Sequence, residues 1–341
     1  MKPTVCVLLG DASGVGAEIL TKAFAEGKHL TDEAKILFIG DRRILTRAEA
    51  ITGCKVACKT VTREELKDAQ GDMLFLDSGN VDPEKAPFAV PSAYCGKAVI
   101  EDIGTAMDLC AQGYADGICF APFNKEGMRK ERPDIASELE IFQENCDRLG
   151  LIVDKEMGEI NVVDGLWTTR VTSHIPMVQL GKHLTYDGIL SMIRLANRSC
   201  KAAGIEKPRV AVAALNPHCG EGGLCGDEEQ TMIKPAMEQA RKEGICVTGL
   251  YSGDTVFVHA FRGEADVVVT MYHDQGQIAL KLRGFSRAVT LSAGFPMPIG
   301  TPAHGTAHDI AGTGVVSESA FETAFHIIAK QSLTAKQNRI S

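Results

Sequence analysis

The sequence predicts an α/β protein of two lobes with largely parallel sheets. Short apolar runs typical of buried strands alternate with segments of helical periodicity, and this alternation favours parallel sheets covered by helices. The chain has 341 residues, of which 45% are hydrophobic. That length suits one large or two ordinary domains, and that composition suits a full core.

The predicted strands are apolar runs of four to eight residues that stop at a polar residue, a glycine or a proline. A glycine-rich turn, "GDASGVGAE" at 10–18, follows the first strand. Such a turn can direct backbone N–H groups at an anion, or can simply be a tight connection to a helix. It is not the G-x-G-x-x-G dinucleotide fingerprint. In chain order, the strands lie in "TVCVLLG", "AKILFIGD", "GDMLFLDSG", "DGICFAP", "TTRVTSH", "PRVAVAALNP", "ADVVVTMYHDQ" and "RAVTLSAG".

The predicted helices are recognised by periodicity and by their end signals. Ser92 is expected to cap the N-terminus of a helix whose apolar residues repeat every three to four positions. Gly204 and Gly244 are expected to form left-handed caps at the ends of two later helices. Helices are predicted at about residues 17–25, from 93, and at 187–203 and 227–242.

The charged segment at 124–134, "NKEGMRKERPD", is the expected hinge between the lobes. The first lobe is predicted to comprise residues 1–130 plus 280–341, and the second residues 131–279. The polar tail from Lys330 is expected to fray.

Charge and composition exclude several classes of function. A net charge of -8 disfavours nucleic-acid binding, because phosphates need a basic surface. No stretch approaches the roughly 20 apolar residues that span a bilayer. The 11 cysteines are scattered without a CxxC pair, so neither a disulfide framework nor a cysteine zinc site is indicated. The sequence therefore predicts a cytoplasmic protein with no nucleic-acid or membrane partner.

Three predicted strands end near a histidine: His174, His218 and His273. In open α/β sheets, ligands bind outside the carboxyl ends of strands. Three imidazoles converging there could bind one metal ion and leave positions open for substrate oxygens. The alternative is that each is an ordinary hydrogen-bonded histidine.

Other polar residues have weaker signals. His304 and His308 have the i, i+4 spacing of a helical chelate, but a loop is equally consistent with the glycines around them. Asp254 can be a helix cap or an acid near the metal. Lys281 follows His273 by eight residues, and near a metal and an alcohol it could act as an acid or base.

The whole set of motifs resembles the 4-hydroxythreonine-4-phosphate dehydrogenase (PdxA) family of pyridoxine biosynthesis, as a divergent member. The resemblance implies two α/β/α lobes around a central cleft, similar to isocitrate and isopropylmalate dehydrogenases. It also implies a homodimer with the metal site at its interface, in contacts made by the second lobe. The motifs, in order, are "GDASGVGAEI", "APFNK", "TSHIPM", "NPHCGEGG", "SGDTVF", "MYHDQGQIALK" and "HGTAHDIAGTG".

By the same resemblance, His174 and His218 of one subunit and His273 of the other hold Zn²⁺, with Mg²⁺ and Co²⁺ as alternatives. The cofactor is NAD or NADP, and the family oxidises a secondary alcohol beta to a carboxylate before decarboxylation. Lys281 and Asp254 are the expected catalytic residues. Asn216 and Gly220 are expected to contact the cofactor, and Glu138, Leu139, Lys281, Thr290, Ile299 and His304 the substrate.

The sequence departs from the family where the phosphate of the substrate is bound. Glu138 and Leu139 replace a His-Thr pair, Thr290 replaces an Asn, and Ile299 replaces an Arg. An apolar residue cannot give a phosphate the bidentate contact of a guanidinium. Arg283 or Arg287 could substitute for it.

The substrate is therefore left open. The default is 4-phosphooxy-L-threonine or a related phosphorylated four-carbon hydroxy acid. The main alternative is a ring substrate of the terephthalate dihydrodiol type, since "GFPMPIG" is an apolar lining. A metal-dependent hydrolase or lyase without nicotinamide and a catalytically idle relative are further alternatives.

Overall fold

The computed structural model describes residues 2–340, without the side chains of Phe285 and Ile340. The chain divides into unit 1, Met1–Val153 with Phe295–Ser341, and unit 2, Asp154–Gly294. Both units are α/β, so the predicted fold class is confirmed. The strands are β1 (Thr4–Leu8), β2 (Lys35–Gly40), β3 (Lys59–Val61), β4 (Met73–Asp77), β5 (Gly117–Phe120), β6 (Gly158–Val163), β7 (Leu166–Arg170), β8 (Val210–Ala213), β9 (Val247–Tyr251), β10 (Val267–Thr270), β11 (Val289–Ala293) and β12 (Ile299–Pro302).

The helices are connected to the strands by short segments in both units. Short 3₁₀ turns occur between them, and a π-helical turn, Glu229–Ile233, precedes α8. The helices are α1 (Gly16–Ala23), α2 (Arg42–Thr52), α3 (Ala93–Ala111), α4 (Lys125–Glu131), α5 (Glu138–Leu149), α6 (Leu180–His183), α7 (Tyr186–Ala202), α8 (Lys234–Lys242), α9 (Val256–Phe261), α10 (His273–Gly284) and α11 (Ser319–Ile340).

The strands of unit 1 run in the order β3-β4-β2-β1-β5-β12, and every pair is parallel. The central strands β1, β2 and β5 are largely apolar on both faces, and β1 is fully buried from Val5 to Leu8, whereas the edge strand β3 is exposed at Lys59 and Thr60. The rings of Phe24, Phe321 and Phe325 pack edge to face between α1 and α11.

The strands of unit 2 run in the order β11-β6-β7-β10-β8-β9. The pairs β11–β6 and β6–β7 are antiparallel, and β7, β10, β8 and β9 are parallel to one another. The carboxyl ends of those four strands therefore lie along one edge of the sheet. That edge carries most of the candidate site.

The observed division of the chain differs from the predicted boundaries at 130 and 280. The expected hinge at 124–134 contains α4, which packs so closely on α3 that a Cβ on Gly96 would lie 2.2 Å from the carbonyl oxygen of Gly127. Helix α5 also belongs to unit 1, because Phe142 and Cys146 are buried in its core. Two well-packed helices, α4 and α5, thus continue unit 1, which extends to Val153.

The C-terminal tail also differs from its prediction. Instead of fraying, it continues α11, since Lys336 and Arg339 pair with the buried carboxylate of Asp116. The predicted helix ends are confirmed. Ser92 accepts a hydrogen bond from the N–H of Cys95 at 3.1 Å, and Gly204 and Gly244 have positive φ.

None of the described helices combines the length and the apolar character needed to cross a bilayer. All 11 cysteines are free, and Cys6, Cys95, Cys110, Cys119, Cys146 and Cys200 are buried.

Candidate active site

Four of the predicted residues lie side by side at the carboxyl ends of the parallel strands of unit 2. His174 follows β7, His273 follows β10, His218 follows β8 and Asp254 follows β9. Because these strands are neighbours in the order β7-β10-β8-β9, the three imidazoles and the carboxylate line one edge in that order. The sequence placed the three histidines at strand ends and Asp254 before a helical turn, and the strand order makes all four neighbours.

His174 and His273 are the closest of these groups. Their ring centroids are 5.5 Å apart. Both rings border a cavity of about 160 Å³ that Thr172, Tyr272 and Asp274 also line. Nδ1 of His273 lies 2.7 Å from Oδ1 of Asp274, so a proton on Nδ1 is held there and Nε2 is left for a ligand.

Backbone contacts hold the two histidine loops together. The N–H of Thr172 donates to the carbonyl of Met271 at 3.2 Å, and the Thr172 hydroxyl donates to the same oxygen at 2.8 Å. Gln275 accepts from the N–H of Met271 at 2.8 Å and donates to the carbonyl of Ala214 at 2.7 Å. The Gln275 amide therefore clamps the end of β10 to the end of β8, beside His273.

A buried polar network lies under the first turns of α10. The side-chain oxygen of Asn161 accepts from Arg170 at 2.8 Å and from Gln277 at 2.6 Å. Arg170 also donates to the hydroxyl of Ser173 at 3.1 Å. Since Ser173 precedes His174 and Gln277 follows His273 by one helical turn, this network fixes both histidine segments to β6.

His218 borders a larger cavity of about 620 Å³, which Tyr272 and Asp274 also line. Asp254 also lines that cavity. A hydrogen bond from the Ser252 hydroxyl, with the nearby His218 imidazole, lowers the pKa of Asp254. Asp254 is therefore ionised at neutral pH and suits orienting a cation or an imidazolium better than donating a proton.

The structure does not place Lys281 in either cavity. It is exposed on α10, two turns beyond His273, which is about 12 Å along the helix axis. Its predicted catalytic role stays a prediction.

The two residues predicted to bind the cofactor contact other residues of the same segment of the chain. Nδ2 of Asn216 donates to Glu228 at 2.6 Å and to Glu229 at 3.0 Å. Gly220 is buried, with φ +79°, against Glu229 and Gly226. Both residues shape the segment that carries His218.

The predicted substrate residues lie in different places. In unit 1, Glu138 begins α5 and pairs with Lys125 at 3.4 Å, beside the half-buried Leu139. Ile299 is 1% exposed and packs in the core, so its side chain faces no solvent. In unit 2, the Thr290 hydroxyl accepts from Asn161 at 2.9 Å.

The i, i+4 pair of histidines does not form a helical chelate. Residues 303–307 are a loop, in which Nδ1 of His304 lies 2.9 Å from the carbonyl of Gly305. His308 instead lies in contact with Ser13 at 3.3 Å and with Asn124 at 3.5 Å.

A polar cluster in unit 1 was missed by the sequence reasoning. Asp11 follows β1, is 1% exposed, and accepts from the N–H and hydroxyl of Ser13 at 2.8 and 2.5 Å. Burial raises the pKa of Asp11, although the Ser13 hydrogen bonds oppose this rise. The same rule that selected the histidines, a polar residue directly after an apolar strand, could have found it.

The donor set of unit 2 fits a divalent metal. Neutral imidazole is a common ligand of Zn²⁺, and each ring centre lies about 3 Å from the ion it binds, so a shared ion allows centres up to ~6 Å apart. The separation of His174 and His273 meets this condition. Among residues 2–340 of one chain, no group of three or more His, Cys, Asp or Glu side chains is close enough to hold an ion.

Comparison with known proteins finds similar chains over nearly the whole length. A family model described as pyridoxal phosphate biosynthetic protein PdxA matches residues 32–328. A relative from Pasteurella multocida, provisionally named a 4-hydroxythreonine-4-phosphate dehydrogenase, is 38% identical over 96% of this chain and 97% of its own. One from Symbiobacterium thermophilum, provisionally named a D-threonate 4-phosphate dehydrogenase, is 36% identical over 99% of each.

A solved structure is also similar over nearly the whole chain. The 4-hydroxythreonine-4-phosphate dehydrogenase from Klebsiella pneumoniae superposes with a TM-score of 0.81 and 31% identity, covering 97% of this chain and 98% of that one. The likeness therefore extends through both units and not only through the histidine motifs.

Proposed function

Because the chain belongs to the PdxA family, we propose that it oxidises the secondary alcohol of a phosphorylated four-carbon hydroxy acid, using a divalent metal and NAD or NADP. The family makes it an oxidoreductase that acts on a CH–OH group. The observation that carries the proposal is the row of His174, His273, His218 and Asp254 along one sheet edge.

The three imidazoles are the proposed metal ligands. These side chains would hold a divalent ion, which would supply Lewis-acid chemistry toward the substrate hydroxyl and the ketone that replaces it. A nicotinamide cofactor would supply the hydride acceptor, and the protein its orientation. In the reaction, the alcohol loses a hydride and a proton. The resulting β-keto acid then releases CO₂ and takes up a proton.

The surrounding residues have separate tasks. Asp274 contacts Nδ1 of His273 at 2.7 Å, so Nε2 of that ring is the proposed ligand atom. Asp254, ionised near His218, keeps that imidazole oriented. Lys281 is the proposed proton carrier for the hydroxyl and for the decarboxylated product, a role that needs a group able to give up its proton.

The substrate is proposed to be 4-phosphooxy-L-threonine or D-threonate 4-phosphate, the substrates for which two relatives are named. The two differ in carrying an amino or a hydroxyl group beside the carboxylate. Glu138 is a smaller obstacle to a phosphate than its charge suggests, because the ammonium of Lys125 lies 3.4 Å away. The ring-substrate alternative loses its support, because Met297 and Ile299 of its apolar lining are in the core.

A homodimer is part of the proposal, because the described residues of one chain do not bring three metal ligands together. Exposed apolar side chains lie beside the two cavities. Ile278 and Leu282 on α10 are 60% and 84% exposed, and Val178 is 92% exposed. Isolated exposed apolar residues are ordinary, but several around a site mark an interface with another protein.

The chain partition of the ligands can be tested by mixing inactive variants. If His218 and His273 of one site come from different chains, dimers of His218→Ala with His273→Ala regain one complete site. The observed pair predicts that His174 and His273 stay together, so His174→Ala with His273→Ala should remain inactive. Recovery in this second mixture would instead support His174 and His218 acting together, as the family resemblance implies.

The activity itself is tested by incubating purified protein with Zn²⁺, Mg²⁺ or Co²⁺, NAD⁺ or NADP⁺ and each candidate acid. Reduction of nicotinamide together with release of CO₂ is the expected result. Conversion of substrate without nicotinamide reduction would support a hydrolase or lyase. Metal binding without turnover of either phosphorylated acid would reject the proposed substrates.

A further inference from the structure

The segment that carries His218 has an unusual backbone. His218, Cys219, Gly220, Glu221 and Gly222 all have φ between 46° and 79°, which is the left-handed region. Three of these residues are not glycine, and for a residue with a Cβ a left-handed conformation is unfavourable. Such a conformation persists only where its surroundings hold it in place.

The group that holds it is the carboxylate of Glu229. This side chain is 0% exposed. Its Oε1 accepts from the backbone N–H of Asn216 at 2.7 Å, and its Oε2 accepts from the Asn216 amide at 3.0 Å. Asn216 is the residue from which the left-handed segment departs, so both of its donors fix the start of that segment.

Glu229 also touches the middle of the segment. A Cβ on Gly220 would lie 2.8 Å from Oε2 of Glu229 and 2.8 Å from the carbonyl of Gly226, so no side chain fits there. The N–H of Cys225 donates to the carbonyl of Gly220 at 3.1 Å. The segment is thus closed around the carboxylate from both ends.

The neighbouring Glu228 provides a comparison within the same turn. It accepts from the Asn216 amide at 2.6 Å but has no hydrogen bond to the backbone N–H, and it is only half-buried. Both carboxylates lie at the start of the π-helical turn. Such turns are rare in proteins, and those that occur are frequently found at functional sites. In the described part of the chain, Glu229 forms no ion pair, so its partners are the two N–H donors of Asn216.

We propose that Glu229 is a positioning residue that holds the 217–223 segment, and through it the imidazole of His218, at the edge of the unit 2 sheet. The link to metal binding rests on the proposed function. The hold on the segment does not depend on it.

The test compares Glu229→Gln with Glu228→Gln. In Glu229→Gln, an amide donor faces the Asn216 amide, so one hydrogen bond is lost without a change of volume. Hydrogen exchange of the metal-free protein should become faster in residues 216–226, and Zn²⁺ affinity should fall by about 10–100-fold, as for other outer partners of metal ligands. Glu228→Gln should change both quantities less, and the melting temperature should separate these effects from global unfolding.

Two outcomes separate this proposal from the proposed function. Faster exchange with unchanged Zn²⁺ affinity keeps Glu229 as the holder of the segment but removes His218 as a metal ligand. Wild-type exchange in Glu229→Gln overturns the proposal. If Glu229→Gln does not fold, Gly220→Ala presses on the same carboxylate from the segment side. In that variant too, unchanged exchange at 216–226 overturns the proposal.

Discussion

In both units, polar groups meet beyond the carboxyl ends of neighbouring strands, but the contacts that these groups make are different. In unit 1, Asp11, Ser13 and His308 meet beyond β1 and bond to one another. In unit 2, His174 and His273 meet beyond β7 and β10, and their closest contact is ring to ring. His174 forms no hydrogen bond with another described residue.

This difference favours the unit 2 edge as the place of the proposed metal ion. Topology brings polar groups together at both edges, because parallel strands end on the same side. In unit 1, Oδ1 of Asp11, the Ser13 hydroxyl and His308 bond to one another, and of this cluster only the buried Oδ2 of Asp11 lacks a hydrogen bond from the described residues. Where ring nitrogens are held in position by neighbours such as Asp274 and Gln275 but left open, a ligand can complete them.

The largest expected effect is the loss of an imidazole at the unit 2 edge. His273→Ala should lower Zn²⁺ affinity by more than the ~10–100-fold that follows loss of an outer partner, because a direct ligand is removed. Metal titration and nicotinamide reduction measure the two consequences. His183→Ala, on α6 and outside both cavities, is the control, and equal affinities in the two variants would remove His273 from the metal site.

Lys281→Ala separates chemistry from metal binding at the same edge. Loss of a general acid or base should lower kcat by ~10²–10⁴-fold while the metal content stays unchanged. Lys281→Arg keeps the positive charge but cannot release a proton, so it should lose activity similarly. Activity near that of the wild type in Lys281→Ala would show that another group carries the proton.

The buried carboxyl group of Asp102 in unit 1 is expected to make the stability of the protein depend on pH. Burial raises the pKa of Asp102 to about 7, although Ser78 and Asn80 donate hydrogen bonds to it. Because the folded pKa exceeds the unfolded value of about 3.9, the folded state holds this proton more tightly. The resulting stability is complete below about pH 4 and is lost as the pH rises through about 7.

Asp102→Asn should remove this dependence. As the pH rises over that range, the free energy of unfolding of the variant should increase relative to that of the wild type by up to ~4 kcal/mol, since one pKa unit corresponds to ~1.4 kcal/mol. Urea denaturation at a series of pH values measures the difference. A constant difference between the two proteins would contradict the raised pKa.

The smallest effect is expected from the other histidine pair. His308→Ala should leave Zn²⁺ affinity unchanged, because its Nε2 lies against Ser13 and Asn124 in unit 1 rather than at the imidazole row. A large loss of metal affinity would indicate that the metal binds at the unit 1 edge, contrary to the proposal that it binds at the unit 2 edge.

The sequence predicted the site where its signal was local. His174, His218 and His273 each follow an apolar run, and the position of a strand end is visible in the run itself. Ser92 and Gly204 marked helix ends for the same reason, because capping depends on adjacent residues. By contrast, strands β3, β6, β9 and β12 were not predicted.

Glu229 and Asp11 were beyond such reasoning. Each looks like an ordinary acidic residue in the sequence, and its importance comes from burial against distant segments. The observed unit boundary differs from the predicted one for the same reason. Charged residues suggested a hinge at 124–134, but that segment packs with α3 and α5 in unit 1.

The sequence by itself determined the α/β class, the strand ends and the identity of the groups placed there, because periodicity and capping act between residues close in the chain. Only the tertiary structure decided that His174 neighbours His273, that Asp254 lies near His218 and that Ile299 is in the core. Strand order and burial depend on pairings between residues far apart in the chain, and no short segment encodes those pairings.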